Sequence, residues 1–178
     1  MKKLFVVLAL GAFSLNVQSQ FIPKWKITDV EQYMKGGNDE ILVLNFWATF
    51  CKPCVAEIPS FIKIADKYKE QKVKLLLISL DLPSFYPAKV AGFAKKHKFN
   101  TPIVWLDETN ADYFCPKIDK NWSGSIPGTL ILNTKTGYRK FFEAEMDAVT
   151  FENELKKAME DKVSLKDKDY FIDRVEPE

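Results

Sequence analysis

Two runs of apolar residues constrain the fold of this chain more than any other feature. Ile41–Trp47 and residues 73–80 are near-continuous stretches of Leu, Ile, Val and Phe, each preceded by a charged residue. A strand with one face in water alternates apolar and polar residues, whereas an unalternating run suits a strand covered on both faces of a sheet. Between them, Ile58, Phe61, Ile62, Ala65 and Tyr68 fall at helical spacing over residues 52–68. Residues 87–99 read as a helix with Val90, Phe93 and Ala94 on one side, and 102–106 as a short strand. Residues 129–132 and 138–142, joined by the Asn-Thr-Lys-Thr-Gly turn, read as an antiparallel hairpin. Phe151, Leu155, Ala158 and Met159 line a last helix. Ahead of all these, 25–27 reads as a short strand, and Thr28-x-x-Glu31 as a capping box opening a short helix that ends at Gly36-Gly37. The order predicts an α/β fold: a mixed central sheet flanked by helices, with a closing β-hairpin and a C-terminal helix.

The length of 178 residues suits one domain, and 47% hydrophobic with 28% charged residues excludes both a disordered chain and a multi-span membrane protein. The start of the chain is read apart. Lys2 and Lys3 precede a mostly apolar run over residues 4–15, shorter than a bilayer span, and Val17 and Ser19 stand at the small-residue positions of a cleavage site. Residues 1–19 are therefore expected to be a signal peptide, 20–163 the folded domain, and 164–178 a charged tail on which Tyr170 and Phe171 could dock back. An uncleaved N-terminal anchor is the alternative. Cleavage removes two of the 26 basic residues and brings them level with the 24 acidic ones, so the formal charge of +2 belongs to the leader. That balance gives no footprint for nucleic acid. An exported chain meets an oxidising compartment, probed here by three cysteines.

Two of those cysteines form Cys51-Lys52-Pro53-Cys54, at the junction of the first buried strand and the long helix. A cysteine at a helix N-terminus faces unpaired N–H groups and the positive end of the helix dipole, which favour its thiolate; Lys52 adds positive charge. Pro53 lies in the first turn, where its missing N–H is no loss. Two intervening residues let the second sulfur meet the first. Covalent haem attachment fails because Val55, not His, follows Cys54. A closed zinc site needs about four ligands, and beyond the pair only His97, Cys115 and scattered acids remain. His97 follows two lysines at a helix end and reads as a surface residue that complements the helix dipole. A permanent structural bridge between Cys51 and Cys54 stays open as the non-catalytic reading, that of a binding module. Cys115 reads as a buried, inert thiol, with an intermolecular disulfide as its alternative.

The stretch 42–59, Leu-Val-Leu-Asn-Phe-Trp-Ala-Thr-Phe-Cys-Lys-Pro-Cys-Val-Ala-Glu-Ile-Pro, resembles the thioredoxin superfamily, and most closely its exported TlpA/ResA-like branch. Ser125-Ile126-Pro127-Gly128-Thr129 is similar to the cis-proline loop of that family. The resemblance implies a thioredoxin fold and an extracytoplasmic thiol–disulfide oxidoreductase, with Cys51 and Cys54 as the catalytic couple. It also implies that Ile126-Pro127 is cis and, with Phe50, Lys52 and Pro53, contacts a substrate held as an extended segment. Pro59 falls where the family kinks its active-site helix. The implied partners are exported proteins with disulfides, apocytochrome c among them, and a reducing donor that could be membrane-bound, in a periplasm-like location. The dithiol itself is the redox group, and neither a metal nor another cofactor is expected.

Three departures qualify this picture. Phe50 replaces the Trp usual before the first cysteine. Asn45 stands where cytoplasmic thioredoxins keep a buried Asp, and an amide cannot act as a base at neutral pH. Glu57, one helical turn past Cys54, matches the acid of the ResA-like branch and is the expected proton partner; a solvated surface glutamate is the alternative. Residues 107–124, with Cys115, Trp122 and Gly124, read as a long insertion-like connection leading into the proline loop. A thiol peroxidase shares the fold but calls for Thr three residues before its cysteine, and Thr49 is two before Cys51.

Overall fold

The computed structural model describes residues 21–36 and 39–160. The expected signal peptide, the Gly37 end of the first break and the charged tail with Tyr170 and Phe171 lie outside the described residues. The described chain forms β1 (Lys24–Trp25), α1 (Ile27–Met34), β2 (Ile41–Trp47), α2 (Lys52–Lys67), β3 (Val73–Ser79), α3 (Ala88–His97), β4 (Ile103–Leu106), α4 (Ala111–Ile118), β5 (Gly128–Asn133), β6 (Arg139–Phe142) and α5 (Ala148–Glu160). The six strands make one mixed sheet in the order β1-β4-β3-β2-β5-β6. β1, β4, β3 and β2 are mutually parallel; β5 runs antiparallel to β2, and β6 antiparallel to β5 at the edge of the sheet.

The unalternating apolar runs are explained by the two cores they feed. Along β2, Ile41, Val43 and Trp47 join the core beneath α2, α3 and α5, while Leu42, Leu44 and Phe46 join the core beneath α1 and α4. β3 divides the same way, with Leu75 and Leu77 on one side and Leu76 and Ile78 on the other. The period of two thus survives with both faces apolar. On the first face Phe61 of α2 stacks on Phe151 of α5 at 3.8 Å, and Trp47 meets Phe99 edge-on at 5.4 Å. On the second, Trp122 lies between Phe46 at 4.7 Å and Phe141 at 5.2 Å.

Three readings of the chain are corrected. The first strand is Lys24–Trp25, and Ile27 already begins α1. The helix therefore starts ahead of Thr28: the Asp29 carboxylate accepts the Lys26 N–H at 2.7 Å, the reach of an acid three residues into a helix, while Glu31 pairs instead with Lys117 of α4 at 3.5 Å. The 107–124 connection contains a helix, α4, which two turns and an internal Pro116 concealed. Its Phe114, Cys115 and Ile118 are buried against the sheet.

The other elements fall where the patterns put them, within a residue or two at their ends. α2 runs through Pro59, whose missing N–H leaves the Val55 carbonyl without its helical donor. The turn between β5 and β6 is held by Asn133, whose Oδ1 accepts the N–H groups of Lys135 at 2.9 Å and Thr136 at 3.2 Å. Among the described residues no helix is long and apolar enough to cross a membrane.

Candidate active site

Parallel α/β sheets present their working groups beyond the C-terminal ends of their strands. Here β2 ends at Trp47, and the chain turns through Ala48, Thr49 and Phe50 into Cys51, the N-cap of α2. A buried carboxylate fixes that turn. Asp81, just past the end of β3 and 3% exposed, accepts the Thr49 N–H at 3.1 Å and the Thr49 hydroxyl at 2.6 Å. Ser79 donates to its other oxygen at 2.8 Å. The signal for Asp81 was present in the sequence as a lone acid between Leu80 and Leu82, but its partner 32 residues away was not.

Cys51 and Cys54 are joined by a disulfide, with Cα atoms 5.3 Å apart. The Cys51 sulfur also accepts the Cys54 N–H at 3.3 Å, as an N-cap side chain does. The two sulfurs are not equivalent in access. Cys51 keeps 7% of its surface exposed, whereas Cys54 is wholly buried. Around them Phe50 and Lys52 are exposed and Pro53 is half-buried.

Antiparallel pairing sets the other wall. β2 and β5 are in register with Phe46 opposite Gly128, so Pro127 continues the line at the level of Trp47. The proline loop is thereby placed beside the turn that carries Cys51. The Ile126-Pro127 bond is cis; Ile126 is half-buried and touches both cores, and Pro127 is buried. Gly128 admits the close approach of Phe141, whose ring carbon would lie 3.0 Å from a Cβ there. Glu143, beyond β6, ties down the approach to the loop by accepting the N–H groups of Ser123 at 3.1 Å and Ser125 at 3.0 Å, and the Ser123 hydroxyl. Trp122 Nε1 donates to the Ser125 carbonyl at 2.9 Å. Nothing in the sequence tied Glu143 to Ser123.

Glu57 is not a surface residue. It is 3% exposed, one turn along α2 from Cys54 and on the same buried side. Its Oε1 accepts from Asn45 Nδ2 at 2.8 Å and its Oε2 from the Met146 N–H at 2.9 Å. Burial is the largest influence and pushes its carboxyl up from 4.5 to about 7, against the two hydrogen bonds; the charge of Glu145 pushes the same way as burial. Asn45 Nδ2 also donates to Thr129 Oγ1 at 3.0 Å. The amide that cannot be a base therefore holds the carboxylate that can.

Cys115 is 3% exposed and unpaired, and burial pushes its thiol up to about 11, away from the thiolate. His97 is exposed in the last turn of α3 and stacks on Phe93 at 4.1 Å. Among the described residues no group of three or more His, Cys, Asp or Glu side chains is placed to hold a metal ion.

Known proteins resemble this chain in sequence and in fold. The thiol-disulfide oxidoreductase ResA of Halalkalibacterium halodurans is 31% identical over 90 residues, which are 51% of this chain and 46% of that protein. The thioredoxin-like protein YneN of Bacillus subtilis is 34% identical over 98 residues, 53% of this chain and 51% of the relative. The chain thus spans about half the length of the curated relatives it matches. The crystal structure of a thioredoxin-related protein from Neisseria meningitidis serogroup B superposes with a TM-score of 0.56 at 26% identity, covering 71% of this chain and 87% of that one. Residues 12–137 match the AhpC/TSA family, which takes in the disulfide, the buried glutamate and the cis-proline loop alike, and the chain belongs to that thioredoxin-like family.

Proposed function

We propose that the chain is a thiol–disulfide oxidoreductase that reduces disulfides in exported proteins through the Cys51–Cys54 couple. One observation carries the reading: the Cys51 sulfur caps a helix and its residue keeps 7% exposure, while Cys54 is wholly buried one turn from a buried carboxylate. In the reduced protein the Cys51 thiolate, favoured by the N-terminus of α2, attacks one sulfur of a substrate disulfide. That S–S bond breaks, a mixed disulfide forms, and the other substrate sulfur leaves and takes up a proton. Cys54 then gives its proton to Glu57, and its thiolate attacks the Cys51 sulfur. The 51–54 bond forms, the second substrate sulfur departs as a thiolate and takes up a proton from solvent, and two electrons have passed to the substrate. A reducing donor, soluble or membrane-bound, returns the couple to the dithiol.

Phe50, Lys52, Pro53, Ile126 and Pro127 would hold the substrate as an extended segment along the proline loop. Apocytochrome c and other exported cysteine proteins are the substrate class that the resemblance favours. The expected signal peptide and the likeness to ResA support a location outside the cytoplasm, periplasmic in a cell with two membranes.

Insulin reduction by the wild type and by Cys51→Ser, with the 51–54 potential measured against glutathione, tests the reading. Turnover by the wild type and none by Cys51→Ser is expected. A couple that stays oxidised under strong dithiol reductant, with no turnover, overturns it in favour of a structural bridge.

A further inference from the structure

Asn45 interrupts the apolar β2 strand in the interior of the protein, and it is fully buried. Its Nδ2 serves two acceptors, Glu57 Oε1 at 2.8 Å and Thr129 Oγ1 at 3.0 Å, while its Oδ1 has no hydrogen-bond partner. The other Glu57 oxygen is held by the Met146 N–H. An ionised carboxylate only accepts, and this arrangement of two N–H donors suits it. A protonated carboxyl must also donate. The buried acceptor beside it that has no donor is the Asn45 carbonyl, on the far side of the same amide.

We propose that Asn45 is a positioning residue whose side-chain amide turns over with the protonation state of Glu57 and conveys that state to Thr129, two residues past Pro127. This rests on the reading of Glu57 as the proton acceptor of Cys54. A half-turn about the Cβ–Cγ bond exchanges oxygen and nitrogen in nearly the same positions. Oδ1 then accepts from the Glu57 O–H, and the Thr129 hydroxyl changes from acceptor to donor. The proton taken from Cys54 stays on Glu57, and no covalent bond other than that O–H is made in the relay. Thr129 pairs with Asn45 in the β2–β5 ladder and follows Gly128 directly, two residues past Pro127. The groups facing Glu57 are Cys54 on its own helix, Asn45 of β2, Thr129 through that amide, and the Met146 N–H, with the Glu145 charge acting from the same segment. The device would report to the substrate loop that the resolving thiol has lost its proton.

The test is nuclear magnetic resonance of the oxidised full chain without substrate, between about pH 5 and 9. It follows the Glu57 carboxyl carbon, the Asn45 side-chain amide, and the backbone amides of Gly128 and Thr129. One shared midpoint for all of them is expected. In Thr129→Val the Asn45 signals still follow Glu57, but the movement at Gly128 falls by at least about half, because the hydroxyl link is gone. In Asn45→Ala the Gly128 and Thr129 amides no longer follow the Glu57 midpoint, because the amide that links Glu57 to the Thr129 hydroxyl is gone. An Asn45 amide that stays still while Glu57 titrates overturns the proposal, as does a Thr129→Val protein whose Gly128 titrates as in the wild type. Failure of the underlying reading shows separately, as unchanged resolution of a mixed disulfide in Glu57→Gln, because the titrations involve no substrate.

Discussion

The Met146 backbone N–H donates to Glu57 Oε2 at 2.9 Å across 89 residues of sequence, and so the segment between β6 and α5 closes over the carboxylate. Glu57 is thereby held in the protein rather than by solvent, although its charge is disfavoured there. Its carboxyl, raised from 4.5 to about 7, binds a proton more tightly in the folded protein than in the unfolded chain. The sign follows: between those values the native state carries more protons, so stability falls as pH rises through the interval. The full shift is worth about 3 kcal/mol at most. Urea denaturation of the oxidised protein should show this decline between pH 4.5 and about 7, and Glu57→Gln should flatten it. A decline of the same size in Glu57→Gln would assign it to another group.

The kinetic consequence is separate. With Glu57→Gln, attack by Cys51 is unaffected, but Cys54 must lose its proton without a neighbouring base. Resolution of a preformed mixed disulfide should slow by about 100-fold at neutral pH, the usual scale of a lost general base. The check is stopped-flow release of a labelled peptide thiol from Cys51. Equal rates in both proteins would remove Glu57 from the reaction.

How much of this was legible in advance depends on the range of each interaction. The strands and α2 announced themselves because apolar runs and helical spacing are local properties of the chain. The Cys51–Cys54 pair and the proline loop were legible as short motifs. α4 was hidden because two turns interrupted by Pro116 give little periodicity, and its helical state is decided by burial of Phe114, Cys115 and Ile118 against the sheet. The start of α1 was misplaced because both Asp29 and Glu31 could cap, and only the tertiary fold sends Glu31 to Lys117. The setting of Glu57 was half legible: its spacing from Cys54 was in the sequence, whereas Met146 contributes a backbone N–H that any residue type would supply.

Asp81 offers a test of the turn before Cys51. Its carboxylate, on a residue 3% exposed, accepts the N–H and hydroxyl of half-buried Thr49 and the hydroxyl of buried Ser79. Asp81→Ala leaves those donors without their acceptor, which costs about 2–4 kcal/mol. Hydrogen exchange at the Thr49 amide should rise well beyond the change in global stability, because the turn is the part released. An exchange rate that follows global stability alone would show that the turn is held by other contacts.

The stacked pair Phe61 and Phe151 joins α2, the helix that begins at the cysteine pair, to α5. Both rings are fully buried with centroids 3.8 Å apart, so Phe151→Ala opens a cavity beneath α2. The expected loss is about 3–5 kcal/mol in denaturant, with Phe151→Leu recovering more than half of it. A loss below about 1 kcal/mol would mean that α5 collapses onto the vacated space.

Glu143 separates binding from chemistry. It touches neither sulfur, and it is exposed, so its removal should change global stability by less than about 1 kcal/mol. It does hold the N–H groups of Ser123 and Ser125 just ahead of the Ile126-Pro127 bond, and those hydrogen bonds keep its own carboxyl below the usual range in spite of partial desolvation. In Glu143→Ala the loop loses those acceptors while the disulfide and Glu57 are untouched. If the loop aligns an extended substrate, KM for a protein disulfide should rise about tenfold with kcat little changed, as when binding common to ground and transition states is removed. A small dithiol-exchange substrate that needs no loop should be reduced at the wild-type rate. Equal losses with both substrates would place the effect of Glu143 at the cysteines instead of at the substrate loop.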